Sequence, residues 1–382
     1  MQTKNMRILT NNSLRRAGGI NRRLKEMKRQ VHHYPDVHLS IVYLSPQEKH
    51  RTDGRIEQHG LVPPDFNFEE PYSGLSTTRE MEERYQRLSE MFDPLIEKTQ
   101  PDVVLLMSSF FIPFALLLSA KRHGIPIVHL YVGSAVTEFN PPRVGKLDTA
   151  YWPLEKMFLQ SVDHTIFNSQ HTVRAIQDLF GELPPQYSVV WNGIPESMFI
   201  GEPAEDRSGV GYVARYTEFK NPHFLLPLSG YLRQRGEEAP FHIVSNITPS
   251  AKHYHPWKEA GFEIREQEGH DGRLREFYQS RTALICPSHF ETFGNVPLEG
   301  IAAGIPCVTS AGMGAAEVFA YLGLDHLVVD TTKVEPAGQL LVDLLRTRPV
   351  IGTEIRRELK QMCNWEYAID AYFSCLQQIA KK

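Results

Sequence analysis

The sequence predicts an α/β protein built from two doubly wound domains, each around a parallel sheet. Three observations carry that expectation. Short apolar runs alternate with helical patterns along the whole chain. Its 382 residues exceed what one hydrophobic core usually organises. And the alternation pauses at a polar, turn-rich stretch near the middle, then starts again.

In the first half, β-branched and apolar runs predict strands at Met6–Thr10, Val37–Leu44, Val103–Met107, Ile127–Leu130, His164–Phe167 and Ser188–Trp191. Helical spacing covers Gly19–Gln30, Thr78–Thr99, Phe114–Arg122 and Ser169–Phe180. The segment Ser45–Thr77, rich in Pro, Gly and charge, reads as a long surface excursion. The apolar stretch Val103–Ala120 is interrupted by Ser108, Ser109 and Pro113, so it divides into a buried strand and a buried helix rather than one membrane span. After Asn192-Gly193-Ile194-Pro195, the pattern-free Gly201–Ser208 reads as the interdomain linker and hinge. A second series of strands follows at Val210–Ala214, Phe241–Ser245, Phe262–Arg265, Ala283–Cys286, Pro306–Ser310 and His326–Val329, with a helix at Asp271–Gln279. A last amphipathic helix runs from Trp365 to Ala380. The expected domains are therefore 1–195, completed by 365–382, and 196–364. Two such units are expected to turn their strand C-termini to a shared cleft, where open α/β sheets bind ligands.

Composition narrows the function. Hydrophobic residues make up 41% and charged residues 23%, as in globular proteins, and a formal net charge of −4 points away from nucleic acid. Four cysteines, Cys286, Cys307, Cys363 and Cys375, form no C-x-x-C pair and no zinc spacing, which suits reduced thiols in the cytoplasm. The N-terminus runs into an apolar strand without a signal-peptide core. Leu14–Gln30 holds seven cations against Glu26, so peripheral contact with an anionic membrane is a further expectation for the first helix.

The chemistry concentrates in Cys286-Pro287-Ser288-His289-Phe290-Glu291-Thr292-Phe293-Gly294-Asn295-Val296-Pro297-Leu298-Glu299-Gly300. A buried strand ends at Cys286, a loop carrying Gly294 follows, and a helix starts near Val296. Its free N–H groups and positive dipole end favour oxygen-rich ligands. Glu291 and Glu299 stand eight positions apart and can each accept hydrogen bonds from sugar hydroxyls. Earlier, Val210-Gly211-Tyr212-Val213-Ala214-Arg215-Tyr216-Thr217-Glu218-Phe219-Lys220 places two cations just past a strand, where they can neutralise a diphosphate. Gly18-Gly19, between the first strand and the first helix, would let the backbone approach a phosphate.

These motifs resemble glycosyltransferase family 4, whose Glu-x7-Glu pattern extends here through Ala303-Gly304-Ile305-Pro306 to Gly312, Gly314 and Glu317. The resemblance covers the C-terminal half well and the N-terminal half thinly. It implies a GT-B fold of two Rossmann-like domains and a retaining, metal-independent transfer from a UDP- or GDP-linked sugar, with no cofactor. The acceptor, whether glycan, lipid or small molecule, is not specified. In that reading Arg215, Lys220 and Glu291 are catalytic. Donor contacts fall to Gly18, Gly19, Arg215, Lys220, Arg265, Glu291, Phe293, Gly294, Asn295, Val296 and Glu299. Family members often carry a His where this chain has Val132, and His129 is the nearby candidate for a sugar contact. A nucleotide-sugar epimerase or hydrolase of the same fold, and an inactive sugar-nucleotide-binding subunit, are the alternatives.

Overall fold

The computed structural model describes residues 5–12, 19–64, 66–68, 77–133, 146–266 and 271–381, with backbone only at Gly19, 146–150 and Asp271. The chain divides into two compact units: 1–168 with 173–190 and 366–382, and 191–365 with 169–172.

The first unit is wound on strands β1 (Met6–Asn11), β2 (Val37–Leu44), β3 (Lys49–Asp53), β4 (Ile56–Leu61), β5 (Val103–Met107), β6 (Ile127–Leu130), β7 (His164–Phe167) and β8 (Tyr187–Val189), in the order β3-β4-β2-β1-β5-β6-β7-β8. Every neighbouring pair is parallel except β3 with β4. All five side chains of β5 are buried, as a central parallel strand covered on both faces requires. Helices α1 (Gly19–Gln30), α2 (Thr78–Glu90), α3 (Asp93–Thr99), α4 (Ile112–Arg122), α5 (Lys146–Ser161) and α6 (Gln170–Phe180) follow in chain order.

Two differences from the expected elements have local causes. The single helix expected over Thr78–Thr99 is split at Met91–Phe92, because Pro94 enters the first turn of α3 and cannot donate to a preceding carbonyl. Ser45–Thr77 is not all surface excursion. It contains β3 and β4, joined by Gly54-Arg55, with Gly54 at φ 57°, and β4 pairs with β2 over six residues.

The second unit is wound on β9 (Val210–Val213), β10 (Phe241–Ser245), β11 (Glu263–Glu266), β12 (Ala283–Cys286), β13 (Cys307–Ser310) and β14 (Val328–Val329). Their order is β11-β10-β9-β12-β13-β14, all parallel. Its helices are α7 (Leu225–Gln234), α8 (Tyr254–Glu259), α9 (Asp271–Gln279), α10 (Asn295–Ala302), α11 (Ala316–Tyr321), α12 (Val334–Thr347), α13 (Thr353–Met362) and α14 (Trp365–Ala380), of which α14 lies in the first unit from Glu366 onward.

Gly201–Ser208, expected as a hinge, is fastened within this unit instead. Buried Arg356 of α13 donates to Phe199 O (3.0 Å) and Gly201 O (2.8 Å) and pairs with Glu202 at 2.8 Å. Ala204 N donates to Gln279 O at 2.9 Å, and Ser208 N to Ser280 O at 3.1 Å. A backbone so pinned cannot swing freely, and the chain passes from one unit to the other at Val190–Trp191.

The four cysteines carry free thiols, with Cys286 and Cys307 Sγ atoms 3.6 Å apart. Among the described residues no helix is long and apolar enough to cross a membrane.

Candidate functional site

In the second unit the strand order reverses direction between β9 and β12, which pair at Ala283↔Val210 and Leu284↔Gly211. Open α/β sheets bind ligands at the strand C-termini beside such a reversal, because the flanking crossovers diverge there and leave a crevice. Both charged motifs emerge at this place. Arg215 and Lys220 follow β9, and Glu291 follows β12.

The two loops are stitched together. His289 N donates to Phe219 O at 2.8 Å, and the Asn221 amide donates to Pro287 O at 3.2 Å, with Asn221 at φ 53°. Buried Tyr212 supports the first loop by donating its hydroxyl to Lys220 O at 3.2 Å. This brings Lys220 Nζ to 2.6 Å from Glu291 Oε2, with side chains 15% and 17% exposed. The other oxygen, Oε1, accepts from Ser288 Oγ at 2.8 Å. Arg215 is half-buried and makes no hydrogen bond or ion pair with any described residue.

The Glu291 loop is braced by the segment after β13. Glu291 N donates to Gly312 O (3.0 Å), Gly314 N to Glu291 O (3.1 Å) and Ala315 N to Phe293 O (2.6 Å). Glycine is required twice in this bracing. A Cβ on Gly312 would collide with His289 O, and one on Gly314 with Thr292 O. Gly294, at φ 86°, opens α10 and offers no side chain to cap it, so the first N–H groups of that helix remain available to a ligand. Phe293 is buried in the core, Val296 is half-buried, and the Asn295 side chain accepts from Asn192 Nδ2 at 3.0 Å. Glu317 accepts from Gln170 N and His171 N at the start of α6.

Glu299 sits one turn into α10 at 2% exposure, and Oε2 accepts from the Tyr278 hydroxyl of α9 at 2.9 Å. A ribose contact must share this carboxylate with Tyr278.

A polar chain runs away from the Arg215 loop. Tyr216 OH lies 2.6 Å from His253 Nδ1, His253 Nε2 lies 2.9 Å from His223 Nδ1, and His223 Nε2 lies 3.1 Å from Glu218 Oε2. Burial, with His223 and Lys252 nearby, lowers the His253 pKa. Nothing in the sequence links Tyr216 to His253, which lies 37 residues on. Ser288 was within reach, since the Ser-x-x-Glu spacing suits a local hydrogen bond.

Other expected contacts fall elsewhere. Arg265 stands exposed on the edge strand β11, 3.9 Å from Glu263, and is not part of the cluster. Gly18 lies outside the described residues, and Gly19 is the first residue of α1.

His129 is a correction. It is fully buried in β6 against the rings of Phe158 (4.8 Å) and Tyr131 (5.6 Å), so no sugar can reach it. Burial lowers its pKa to about 3 and keeps it neutral. Val132, just past β6, is half-buried.

The described part of the basic run of α1 mixes buried, paired and exposed cations. Arg23 is buried beside Tyr372, Lys28 donates to Gln58 at 2.8 Å, and Arg29 pairs with Glu26 at 2.9 Å. Leu14 to Gly18, with Arg15 and Arg16, lie outside the described residues.

Comparison with known proteins agrees with this layout. The family model for Glycosyltransferase Family 4 matches residues 17–197, and that for Glycosyl transferases group 1 matches residues 194–361. A D-inositol 3-phosphate glycosyltransferase of Acidothermus cellulolyticus is 27% identical over 269 residues, 62% of this chain and 58% of that protein. The chain spans less than two thirds of the length of the curated relatives it matches first, between 58% and 65%. A sucrose-phosphate synthase from Thermosynechococcus elongatus superposes with a TM-score of 0.76 over 98% of both chains at 15% identity. An E. coli trehalose-6-phosphate protein bound with UDP-2-fluoro glucose gives 0.72 over 98% of this chain and 99% of that one, at 12% identity. These structural likenesses are in fold, and the two parallel-sheet α/β domains are of the GT-B type. By the two family models together, the chain belongs to glycosyltransferase family 4.

Proposed function

We propose that the protein is a retaining hexosyltransferase that takes its sugar from a UDP- or GDP-linked donor and needs no metal at the diphosphate. The observation that carries this reading is Arg215, a half-buried cation without a partner among the described residues, on the loop that also carries Lys220, whose pair with Glu291 stands at the β9/β12 reversal. A cation so placed favours an anionic ligand, and Lys220 is held ready by a carboxylate that donor hydroxyls can engage. As the bond from the anomeric carbon to the diphosphate oxygen breaks, charge grows on the departing phosphate, and Arg215, Lys220 and the α10 N-terminus stabilise it. The acceptor oxygen bonds to the anomeric carbon on the same face, and its proton passes to the departing diphosphate. Glu291 holds the transferred sugar and Glu299 the ribose.

For the acceptor, the first class to test is a phosphorylated sugar or cyclitol, the kind of molecule the names of the inositol 3-phosphate and sucrose-phosphate enzymes contain. A thermal-shift panel of UDP- and GDP-sugars, followed by product analysis with hexose phosphates, inositol phosphates and neutral glycans, tests both halves, since a ligand of the native state raises its stability. Binding and product formation should persist in EDTA. Turnover lost in EDTA and restored by manganese would overturn the metal-free reading, and a folded protein that binds donors but never transfers would be an inactive binding subunit.

A further inference from the structure

The β3–β4 hairpin of the first unit brings three metal-ligand side chains together, remote in sequence from every motif above. His50 and His59 are directly opposed across the antiparallel pair, and Glu57 lies two residues before His59 on the same strand. With side chains alternating along a strand, all three project from one face. One ligating atom from each lies within 4.8 Å of the others. His59 Nε2 is 3.2 Å and His50 Nε2 3.7 Å from Glu57 Oε2. A tetrahedral zinc site, with bonds of about 2.0–2.2 Å, separates its ligand atoms by roughly 3.3–3.6 Å, so the two histidine–carboxylate distances already suit two edges of one face.

A second observation points the same way. His59 is 4% exposed, and its buried Nε2 faces the Glu57 carboxylate at 3.2 Å without forming a hydrogen bond of good geometry with any described residue. An imidazole nitrogen set against a carboxylate in this way is an arrangement that a cation between them would satisfy.

We propose that His50, Glu57 and His59 form a site for a divalent transition-metal ion of the zinc class, with a fourth position left to water. Two imidazoles and one carboxylate suit zinc or cobalt and disfavour magnesium and calcium, which take oxygen ligands. The ion's task is structural. All five residues of β3 are exposed, and β4 is its neighbour in the sheet. A metal bridging His50 to Glu57 and His59 fastens this edge strand to β4, which β2 holds in register. The site lies outside the Arg215–Lys220–Glu291 cluster and is independent of how the donor is bound.

The test uses the full chain without a histidine tag, stripped of metal, titrated with cobalt(II) and followed by its visible absorption, then displaced by zinc. One ion per chain should bind and give the intense bands of a low-symmetry site, and hydrogen exchange at Lys49–Asp53 should slow when zinc is added. His50→Ala and Glu57→Gln, both on exposed side chains, should each weaken binding by about 100-fold or more, since even outer partners of metal ligands are worth about 10–100-fold. His59→Ala should do the same, and if it fails to fold, His50→Ala alone decides. Equal cobalt binding in His50→Ala and the parent, displacement by magnesium as readily as by zinc, or unchanged exchange in the hairpin would each overturn the proposal.

Discussion

The two sheets share one wiring and differ in what stands at the point of reversal. In the first unit strand order turns between β1 and β5, and the buried Asn11 amide closes the gap there. Asn11 Nδ2 donates to Met107 O at 3.1 Å, and Met107 N donates back to Asn11 Oδ1 at 2.8 Å. In the second unit the reversal between β9 and β12 carries Arg215, without a partner among the described residues, and Lys220 paired to Glu291. The difference teaches how to separate scaffold from site. A polar group satisfied both ways by backbone is holding strands together, whereas a half-buried cation left alone is waiting for a ligand.

The largest expected effect tests that division directly. Lys220→Ala and Arg215→Ala should each lower kcat by about 100- to 1000-fold, with a smaller change in KM, because they act where charge develops. Arg215→Lys should also be impaired, since an ammonium cannot span two phosphate oxygens as a guanidinium does. Steady-state kinetics on variants with parental melting curves gives the answer, and parental turnover in both Ala variants would make these residues ordinary surface charges.

Next in size is nucleotide affinity. Glu299→Gln keeps an acceptor for Tyr278 but removes the charge, and should weaken nucleoside diphosphate binding about tenfold or more, a charge-assisted hydrogen bond being worth about 1.5–3 kcal/mol. Calorimetry on this variant beside Tyr278→Phe separates a ligand contact from a helix tie. If Tyr278→Phe loses as much affinity as Glu299→Gln, the carboxylate is there for the fold.

Asn11→Ala sharpens the other side of the comparison. It leaves the buried Met107 N–H and C=O unpaired and should cost about 2 kcal/mol of stability, while nucleotide affinity in the second unit stays as in the parent. Denaturant melts and calorimetry read both quantities. A stable variant with impaired donor binding would reverse the assignment of scaffold and site.

The last effect concerns His129 and grows only as the pH falls. Its pKa is about 3 in the native protein against an ordinary 6.5, so between those values the unfolded chain binds the extra proton. The stabilisation is complete above the unfolded value and is lost as pH falls through that window, by at most about 1.4 kcal/mol per pH unit. His129→Phe should flatten the acid limb of the stability curve relative to the parent. Parallel curves for the two proteins would mean the ring finds a proton partner inside the fold.

Much of this was legible in the sequence, for identifiable reasons. Apolar runs such as Val103–Met107 and Ala283–Cys286 mark central parallel strands because both their faces are buried. The loops after β9 and β12 were readable because charge and glycine stand at fixed distances from those strands. The β3–β4 pair escaped because Lys49–Asp53 is polar and exposed throughout, although Asp53-Gly54 is a hairpin signal. Gly201–Ser208 misled because hydrogen bonds to backbone, from Arg356 for example, leave no trace in composition. The alternation in β6 said that His129 was in a strand, not that its ring would be enclosed by Phe158 from α5.

The Tyr216–His253–His223–Glu218 chain has a consequence of its own. A carboxylate has no proton to give, so Glu218 forces His223 to donate to it, His223 then accepts from His253, and His253 from Tyr216. With neutral rings the three links therefore point one way, as in a row of water molecules in ice. An extra proton on His223 or His253 is absorbed by reversal: the Tyr216 hydroxyl, which can accept as well as donate, turns to accept from His253 Nδ1. The residue at the far end is Tyr216, next to Arg215, so the hydroxyl that turns over when the row reverses is the one beside the cation of the β9 loop.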